Sequence, residues 1–206
     1  MKLLVATRSA GKQREIARLA AGSGLDVGFP DDANVWETPA EDALELHDSF
    51  QANARAKAEY FAKITGLPTV ADDSGLEVTS LGGEPGVRSK RWAGVTGLAA
   101  TVDSANNEYL LRRLAGAPAA RRRARYRCVL VLLRKVGGVP EVFDHACNGS
   151  IATEARGTGG FGYDPYFVSD DLGKTFGEAT DEEKDRVSHR GRAVRALLEA
   201  LAARPL

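Results

Sequence analysis

Residues Lys2-Leu3-Leu4-Val5-Ala6-Thr7-Arg8-Ser9-Ala10-Gly11-Lys12 pass from a short apolar run into a polar, glycine-containing turn. Lys12 to Ala21 then carries apolar side chains at helical spacing, with Ile16, Leu19 and Ala20 on one face, and Gly22 and Gly24 stop the helix. Strand, loop and helix in that order open an α/β protein. The junction also has chemical meaning. A helix start presents backbone N–H groups without intrahelical partners and the positive end of the helix dipole, so phosphate is its natural guest, and Lys12 adds a point charge. It is not a Walker A loop, because Ala6 and Gln13 stand where that pattern needs Gly and Ser or Thr. Taken alone, the stretch reads equally as an ordinary loop with a solvated lysine.

Working outward, Phe50 to Thr65 is an alanine-rich helix ended by Gly66, with Pro68 beyond. Thr69 to Ala71 and Leu76 to Leu81 read as strand pieces flanking an acidic turn, and Gly82 to Gly86 as a turn cluster. Asn106 to Leu114 is a helix. Tyr126 to Leu133 is a central strand, with Val139 to Asn148 returning as its hairpin partner across Gly137-Gly138. His189 to Ala203 is a closing helix with Ser188 as its N-cap. Strands and helices mix without strict alternation, so the chain reads as an α/β or α+β protein with a mixed sheet, its 206 residues forming one domain, or two small lobes sharing a core.

Composition excludes several classes. With 28 Lys plus Arg against 28 Asp plus Glu, the net charge is zero, whereas binding to a nucleic-acid backbone or an anionic membrane needs a basic surplus. The five arginines between Arg121 and Arg127 therefore read as a solvated approach to a strand. The longest aliphatic run, Val129 to Leu133, is far short of the ~20 residues of a membrane span. Leu3 to Ala6 is too short for a signal-peptide core. The cysteines, Cys128 and Cys147, then read as reduced, buried thiols, the Asn148-Gly149-Ser150 sequon as accidental, and the location as cytoplasmic.

Four further groups carry chemistry. Adjacent Asp72 and Asp73 repel one another and persist most comfortably beside a cation, typically Mg²⁺, and such a carboxylate also activates water; the alternative is a helix cap or turn. Asn53 and Lys57 are four apart and share a helix face, with Glu45 upstream. The run Gly157-Thr158-Gly159-Gly160-Phe161-Gly162-Tyr163-Asp164-Pro165 contains a G-x-G-x-x-G, but Tyr163-Asp164-Pro165-Tyr166 follows instead of a helix, so a Rossmann reading fails. The loop is suited to stack a flat ring and read its edge, or is a tight turn with core aromatics. Lys184, His189 and Arg190 form a donor cluster near a helix start.

Together these blocks resemble the inosine/xanthosine triphosphate pyrophosphatases, the Ham1-like family. That family's pattern has T-x-N-x-x-K, F-x-x-N-A-x-x-K-A, D-D-S-G-L-x-V-x-x-L-G-G-x-P-G, G-G-F-G-Y-D-P-x-F and a final E-E-K-x-x-x-S-H-R. Here Thr7 to Lys12, Phe50 to Ala58, Asp72 to Gly86, Gly159 to Phe167 and Glu178 to Ala193 supply them in order. The chain departs from the pattern at Arg8, where Gly is usual, at Ser9, where Asn is usual, and at Arg88, where an aromatic is usual.

The resemblance implies an elongated mixed sheet flanked by helices, two lobes with the nucleotide between them, and a homodimer. It implies Mg²⁺-dependent hydrolysis of ITP, dITP and XTP to monophosphate and pyrophosphate. Glu45, Asp73 and Asp72 are then the metal ligands and Asp73 the base. Thr7, Arg8, Ser9, Ala10, Gly11, Lys12, Asn53, Lys57 and Ser74 hold the substrate's phosphate side, and Phe161, Gly162, Tyr163, Asp164, Lys184, His189 and Arg190 its base. Hypoxanthine and xanthine carry an O6 acceptor where adenine carries an amine, so donors at Lys184, His189 or Arg190 would discriminate against adenine. The competing readings are a Maf-like pyrophosphatase, opposed by the F-G-Y-D-P and S-H-R blocks, a nucleotide-binding regulator that lost catalysis, opposed by the intact carboxylates, and a nucleic-acid module.

Overall fold

A computed structural model describes residues 2–206. Strand β1 (Lys2–Val5) leads into helix α1 (Ala10–Ala20), and β2 (Asp26–Gly28) follows. Two 3-10 turns, Asp31–Ala33 and Pro39–Glu45, precede helix α2 (Phe50–Thr65). Then come β3 (Thr69–Val78), α3 (Ala99–Arg113), β4 (Arg123–Leu133), β5 (Glu141–Ile151), β6 (Phe167–Ser169), α4 (Asp181–Val187) and α5 (His189–Ala203). The strands lie in the order β2-β1-β3-β4-β5-β6; β1 runs parallel to β2 and β3, and β5 antiparallel to β6, so the sheet is mixed as expected.

The chain forms two compact units, one of residues 1–73, 128–145 and 190–206, the other of 74–127 and 146–189. Strands β3, β4 and β5 each pass from one unit to the other. The first unit's core joins Leu3 and Val5 of β1, Ile16 of α1, Val70 of β3, Leu130 and Leu132 of β4, and Val194 and Leu197 of α5. The second gathers Leu76 and Val78, Leu110, Tyr126, Ile151, Phe167 and Phe176. Among the described residues no helix is long and apolar enough to cross a membrane.

Local chemistry explains the boundaries. Ser49 caps α2 by accepting from the Ala52 N–H, and Gly66 ends it in the left-handed region at φ 70°. Helix α4, not foreseen as a helix, starts on a capping box in which Thr180 accepts from the Glu183 N–H and Glu183 accepts from the Thr180 N–H. Ser188, expected to cap α5, stands immediately before it with an extended backbone and also closes α4, its N–H donating to the Lys184 carbonyl.

Two differences bear on the site. The acidic pair does not sit in a turn: β3 runs unbroken through Asp72 and Asp73. Successive strand side chains point to opposite faces, so the two carboxylates diverge and each finds its own cations. Helix α3 begins seven residues before the expected start, at Ala99 rather than Asn106, which brings Asp103 onto it.

A methyl group at Gly66 would meet nothing within 4 Å, so the backbone alone decides a substitution there. Gly66→Ala is expected to lower stability by about 1 kcal/mol through the left-handed penalty, read as a fall in the midpoint of thermal unfolding.

Candidate active site

Helix α2 buries Phe50, Ala54, Ala58, Phe61 and Ala62, and on that same face it also buries Asn53 and Lys57. Polar side chains on an apolar face need partners. Asn53 donates from Nδ2 to Asp73 Oδ2 (2.9 Å) and accepts the His47 N–H at Oδ1 (2.9 Å), which fixes its amide orientation. Lys57 Nζ lies 2.8 Å from Glu45 Oε1 and 3.5 Å from Asp73 Oδ1. Three elements thus converge: the 3-10 turn carrying Glu45, α2, and β3 carrying Asp73.

The electrostatics of this group are polarised. Burial raises the Asp73 carboxyl above the usual carboxylate range, against the pull of Lys57, Lys12 and the Asn53 hydrogen bond. Burial works against the Lys57 charge as well, but Asp73 and Glu45 outweigh it and keep the ammonium protonated. A carboxylate made more basic by burial is suited to take a proton from water.

On the other face of β3, Asp72 is wholly buried. Its Oδ1 lies 2.7 Å from Lys12 Nζ, and its Oδ2 faces Arg190 at 3.3 and 3.4 Å and Cys128 Sγ at 3.7 Å. Arg190 also donates to Glu15 of α1. Burial pushes the Asp72 carboxyl up, but Lys12 and Arg190 overcome it and hold it well below the usual range. Cys128, buried beside that carboxylate, is pushed well above the ordinary thiol value.

Two expectations change as a result. Asp72, expected beside Glu45 and Asp73 as a third metal ligand, lies on the opposite face of β3, where its oxygens anchor a row of alternating charges, Lys12–Asp72–Arg190–Glu15. Arg190, 2% exposed, belongs to that row and does not project with His189 as a base donor. His189 is stacked on Tyr126 (centroids 4.6 Å apart, 7° between planes), with Nδ1 3.9 Å from Cys147 Sγ. Consecutive residues at a helix start are about 100° apart around the axis, so adjacency in sequence does not make a joint donor cluster.

The loop before α1 keeps its expected character. Thr7 Oγ1 accepts the Ser9 N–H at 3.3 Å, and no side chain caps the helix at Ser9. The N–H groups of Ala10, Gly11 and Lys12 therefore open an anion-friendly helix end. Arg8, by contrast, turns its guanidinium away to Glu41 and Asp31.

The second unit holds the glycine-rich loop. Asp164 Oδ2 accepts the Phe161 N–H (2.7 Å) and lies 2.5 Å from the buried ammonium of Lys184. That ammonium sits over the rings of Phe161 (5.2 Å) and Phe176 (5.5 Å). A Cβ at Gly160, where φ is 72°, would lie 2.1 Å from Asp164 Oδ2, so glycine is required. Gly162 is gripped from α3: its N–H donates to Asp103 Oδ2 (3.0 Å) and its carbonyl accepts from Asn107 Nδ2 (2.9 Å). The Tyr163 hydroxyl donates to the Ser89 carbonyl (2.8 Å), which makes Tyr163 a structural strut. Phe161 stays half-exposed, with ring area for stacking. Ser74 belongs to this unit, half-buried on β3.

Glu15, Glu41, Asp103 and Asn107 were not singled out in the sequence. Asp103 and Asn107, four apart, become visible as a pair only once α3 is known to start at Ala99. Four of the five clustered arginines are accounted for within the second unit: Arg122 is buried on the carbonyls of Leu114, Ile151 and Ala152, Arg123 pairs with Asp170, and Arg125 and Arg127 pair with Glu77.

An open helix start with a lysine and, in the same unit, two carboxylates around a second lysine mark an α/β protein with polar groups of the kind that suit a phosphate and a hard cation. The chain belongs to the Ham1 family, whose sequence pattern matches residues 3–200. It is 45% identical over 201 residues to a dITP/XTP pyrophosphatase of Shigella flexneri, covering 97% of this chain and 98% of that one. It is also 45% identical over 205 residues to a dITP/XTP pyrophosphatase of Thioalkalivibrio sulfidiphilus, covering 99% and 100%. Among solved structures, a Ham1 protein from Coxiella burnetii superposes with a TM-score of 0.85 at 32% identity, covering 98% of this chain and 99% of that one. A dITP/XTP pyrophosphatase from Mycobacterium abscessus gives 0.72 at 42% identity, covering 96% and 99%.

The two aspartates are expected to behave differently on neutralisation. Asp72→Asn removes the wholly buried carboxylate at the centre of an ion row and is expected to cost about 3 kcal/mol. Asp73→Asn removes a charge that burial already disfavours and keeps a partner for Asn53, and is expected to cost less than ~1 kcal/mol. Urea unfolding of both variants checks the contrast; equal losses would dissolve the distinction between the faces.

Proposed function

We propose that the protein hydrolyses deaminated purine nucleoside triphosphates (ITP, dITP and XTP) to the monophosphate and pyrophosphate, with Mg²⁺ held by Glu45 and Asp73. The near full-length identity to dITP/XTP pyrophosphatases supports the reaction class. The single structural observation that carries the reading is the convergence of Glu45 and Asp73 on Lys57, with Asp73 made basic by burial.

These residues fit a divalent cation. Two carboxylates from different elements share one ammonium, leaving oxygen ligands of the hard type that Mg²⁺ takes. Mg²⁺ needs only one or two protein carboxylates when phosphates complete its shell. When bound, the ion spreads the charge of the triphosphate and of the leaving pyrophosphate.

The chain's own groups divide the remaining work. The open N–H groups at Ala10 to Lys12, with Thr7 and Ser9 in the same loop, bind phosphate oxygens, and Lys12 and Lys57 supply positive charge. Asp73 receives the proton of the attacking water, with Asn53 holding one carboxylate oxygen so that the other is aimed. Phe161 stacks on the purine, and the Lys184 ammonium, held by Asp164 beside that ring, is the donor assigned to O6. Adenine presents an amine there and leaves a buried donor unmatched. Ser74 and the His189 edge complete the contacts assigned to substrate. A homodimer, which rests on the family resemblance, and a cytoplasmic location, which rests on the reading of Cys128 and Cys147 as reduced thiols, belong to the same proposal; sedimentation at micromolar concentration tests the dimer.

The deciding experiment is pyrophosphate release from ITP, dITP, XTP, GTP and ATP, each with and without Mg²⁺. Release from the first three that depends on Mg²⁺ and exceeds that from ATP by at least about 100-fold is expected. Asp73→Asn should lower kcat by about 10³-fold or more while nucleotide still binds. Near-normal turnover in that variant removes Asp73 from the base role.

Lys12→Ala and Lys57→Ala should raise KM for ITP and GTP by the same factor, since phosphate carries no base information. Asn107→Ala, which releases Gly162, should instead narrow the ITP-to-GTP ratio. A ratio unchanged in Asn107→Ala would place the base away from the glycine loop.

A further inference from the structure

Glu45 is supplied by the segment least tied into the core of its unit. Between β2 and α2 the chain makes two short 3-10 turns, none of whose residues is buried. Its side chains Trp36 and Leu46 are 76% and 71% exposed. The Glu45 side chain itself is 41% exposed. A ligand on such a strap is no better placed than the strap is.

One residue ties the strap down from the phosphate loop. Arg8 forms a two-point pair with Glu41, Nε to Oε2 at 3.1 Å and Nη2 to Oε1 at 2.8 Å. Its Nη1 reaches Asp31 Oδ1 at 2.6 Å, and its guanidinium stands 5.6 Å from the ring centre of Phe61. The Arg8 and Glu41 side chains are only 20% and 11% exposed, so the pair is shielded from water and salt far better than a surface ion pair. Planar bidentate pairing and stacking on an aromatic face are both specific to arginine. One side chain therefore joins the β1–α1 loop, both turns of the strap and α2, and Glu41 lies four residues before Glu45 in the same 3-10 turn.

We propose that the Arg8–Glu41 pair is a positioning device that sets the geometry of Glu45, so that the phosphate loop and the metal-binding carboxylate are held in register. The idea rests on the assignment of Glu45 to the metal made above. Arg8 acts through Glu41 and is a positioning residue; its side chain is committed to the strap and does not contact phosphate. The resemblance implies no such pairing: it places Arg8 at the substrate, where Gly is usual, and assigns no role to Glu41.

The test compares Arg8→Gln, Glu41→Gln, the double variant and Glu45→Gln in the full chain. Hydrogen exchange of residues 39–46 reads the strap. Mn²⁺ binding, followed by electron paramagnetic resonance with a non-hydrolysable α,β-methylene ITP present, reads the ligand without turnover. Arg8→Gln and Glu41→Gln should each speed exchange across 39–46 and weaken Mn²⁺ binding by about tenfold, the low end for residues that orient metal ligands. The double variant should lose no more than either single one, because one pair is being broken. At saturating Mg²⁺, kcat should fall by less than about threefold, and the Mg²⁺ concentration for half-maximal rate should rise with the Mn²⁺ constant. Arg8→Lys, which keeps the charge but not the fork, should rescue only part of the loss.

Unchanged exchange in Arg8→Gln overturns the tie itself. Faster exchange with unchanged Mn²⁺ binding, while Glu45→Gln loses it, overturns positioning and leaves Glu45 as a ligand. Unchanged Mn²⁺ binding in Glu45→Gln removes Glu45 from the metal, and the positioning role falls with it.

Discussion

Two neighbouring carboxylates in one strand constrain much of the first unit. Asp72 and Asp73 repel if they share an environment, and β3 resolves this by sending them to opposite faces. Each face must then supply its own compensation. On one, Lys12, Arg190 and Glu15 build a closed row of alternating charge around Asp72. On the other, α2 devotes two positions of its buried face to Asn53 and Lys57. Helices α1, α2 and α5 are thus tied to a single dipeptide by charge as well as by apolar contact. The same division separates roles: the carboxylate with strong partners is held ionised and structural, and the one with weaker partners is made basic and is suited to chemistry.

The second unit shows a parallel economy of means around a loop rather than a strand. Asp164 gathers the Phe161 N–H and the Lys184 ammonium on one oxygen, and Asp103 and Asn107 grip Gly162 from both sides of its peptide groups. A glycine-rich loop has many conformations to lose, so a ring presented from it needs such anchors. Tyr163 provides another by reaching the Ser89 carbonyl, while Ser89 Oγ accepts the Leu76 N–H and so links the loop to β3 within that unit.

Much of this was legible in the sequence. Helix α2 was bounded correctly because an alanine-rich run and a terminal glycine with proline beyond speak locally, and α5 because its apolar period is long. The strand β1 and the helix after it followed from pattern alone. What was not legible depends on direction rather than identity. The acidic pair looked like a turn because composition says nothing of which face a side chain takes. Arg190 looked like His189's companion because adjacency in sequence hides the rotation around a helix. Glu15, Glu41, Asp103 and Asn107 are ordinary polar residues at ordinary helical or turn positions, and only their distant partners mark them. The capping box at Thr180 was a local signal that was present and not used.

The charge arithmetic of the first unit bears on how a triphosphate is received. The row Lys12–Asp72–Arg190–Glu15 sums to zero, so the Lys12 charge beside the helix start is largely offset from within. Around Lys57, two carboxylates meet one ammonium, leaving a deficit of positive charge. Arg8 is matched by Glu41 and Asp31. A bare triphosphate, with several negative charges, therefore meets helix N–H groups but no surplus of side-chain cations, and Coulomb repulsion from Glu45 and Asp73 opposes it. Under the proposed function, a divalent ion held by Glu45 and Asp73 would offset the charge of both the carboxylates and the phosphates. The carboxylate pair around Lys57 would then suit a metal–nucleotide complex better than the nucleotide alone.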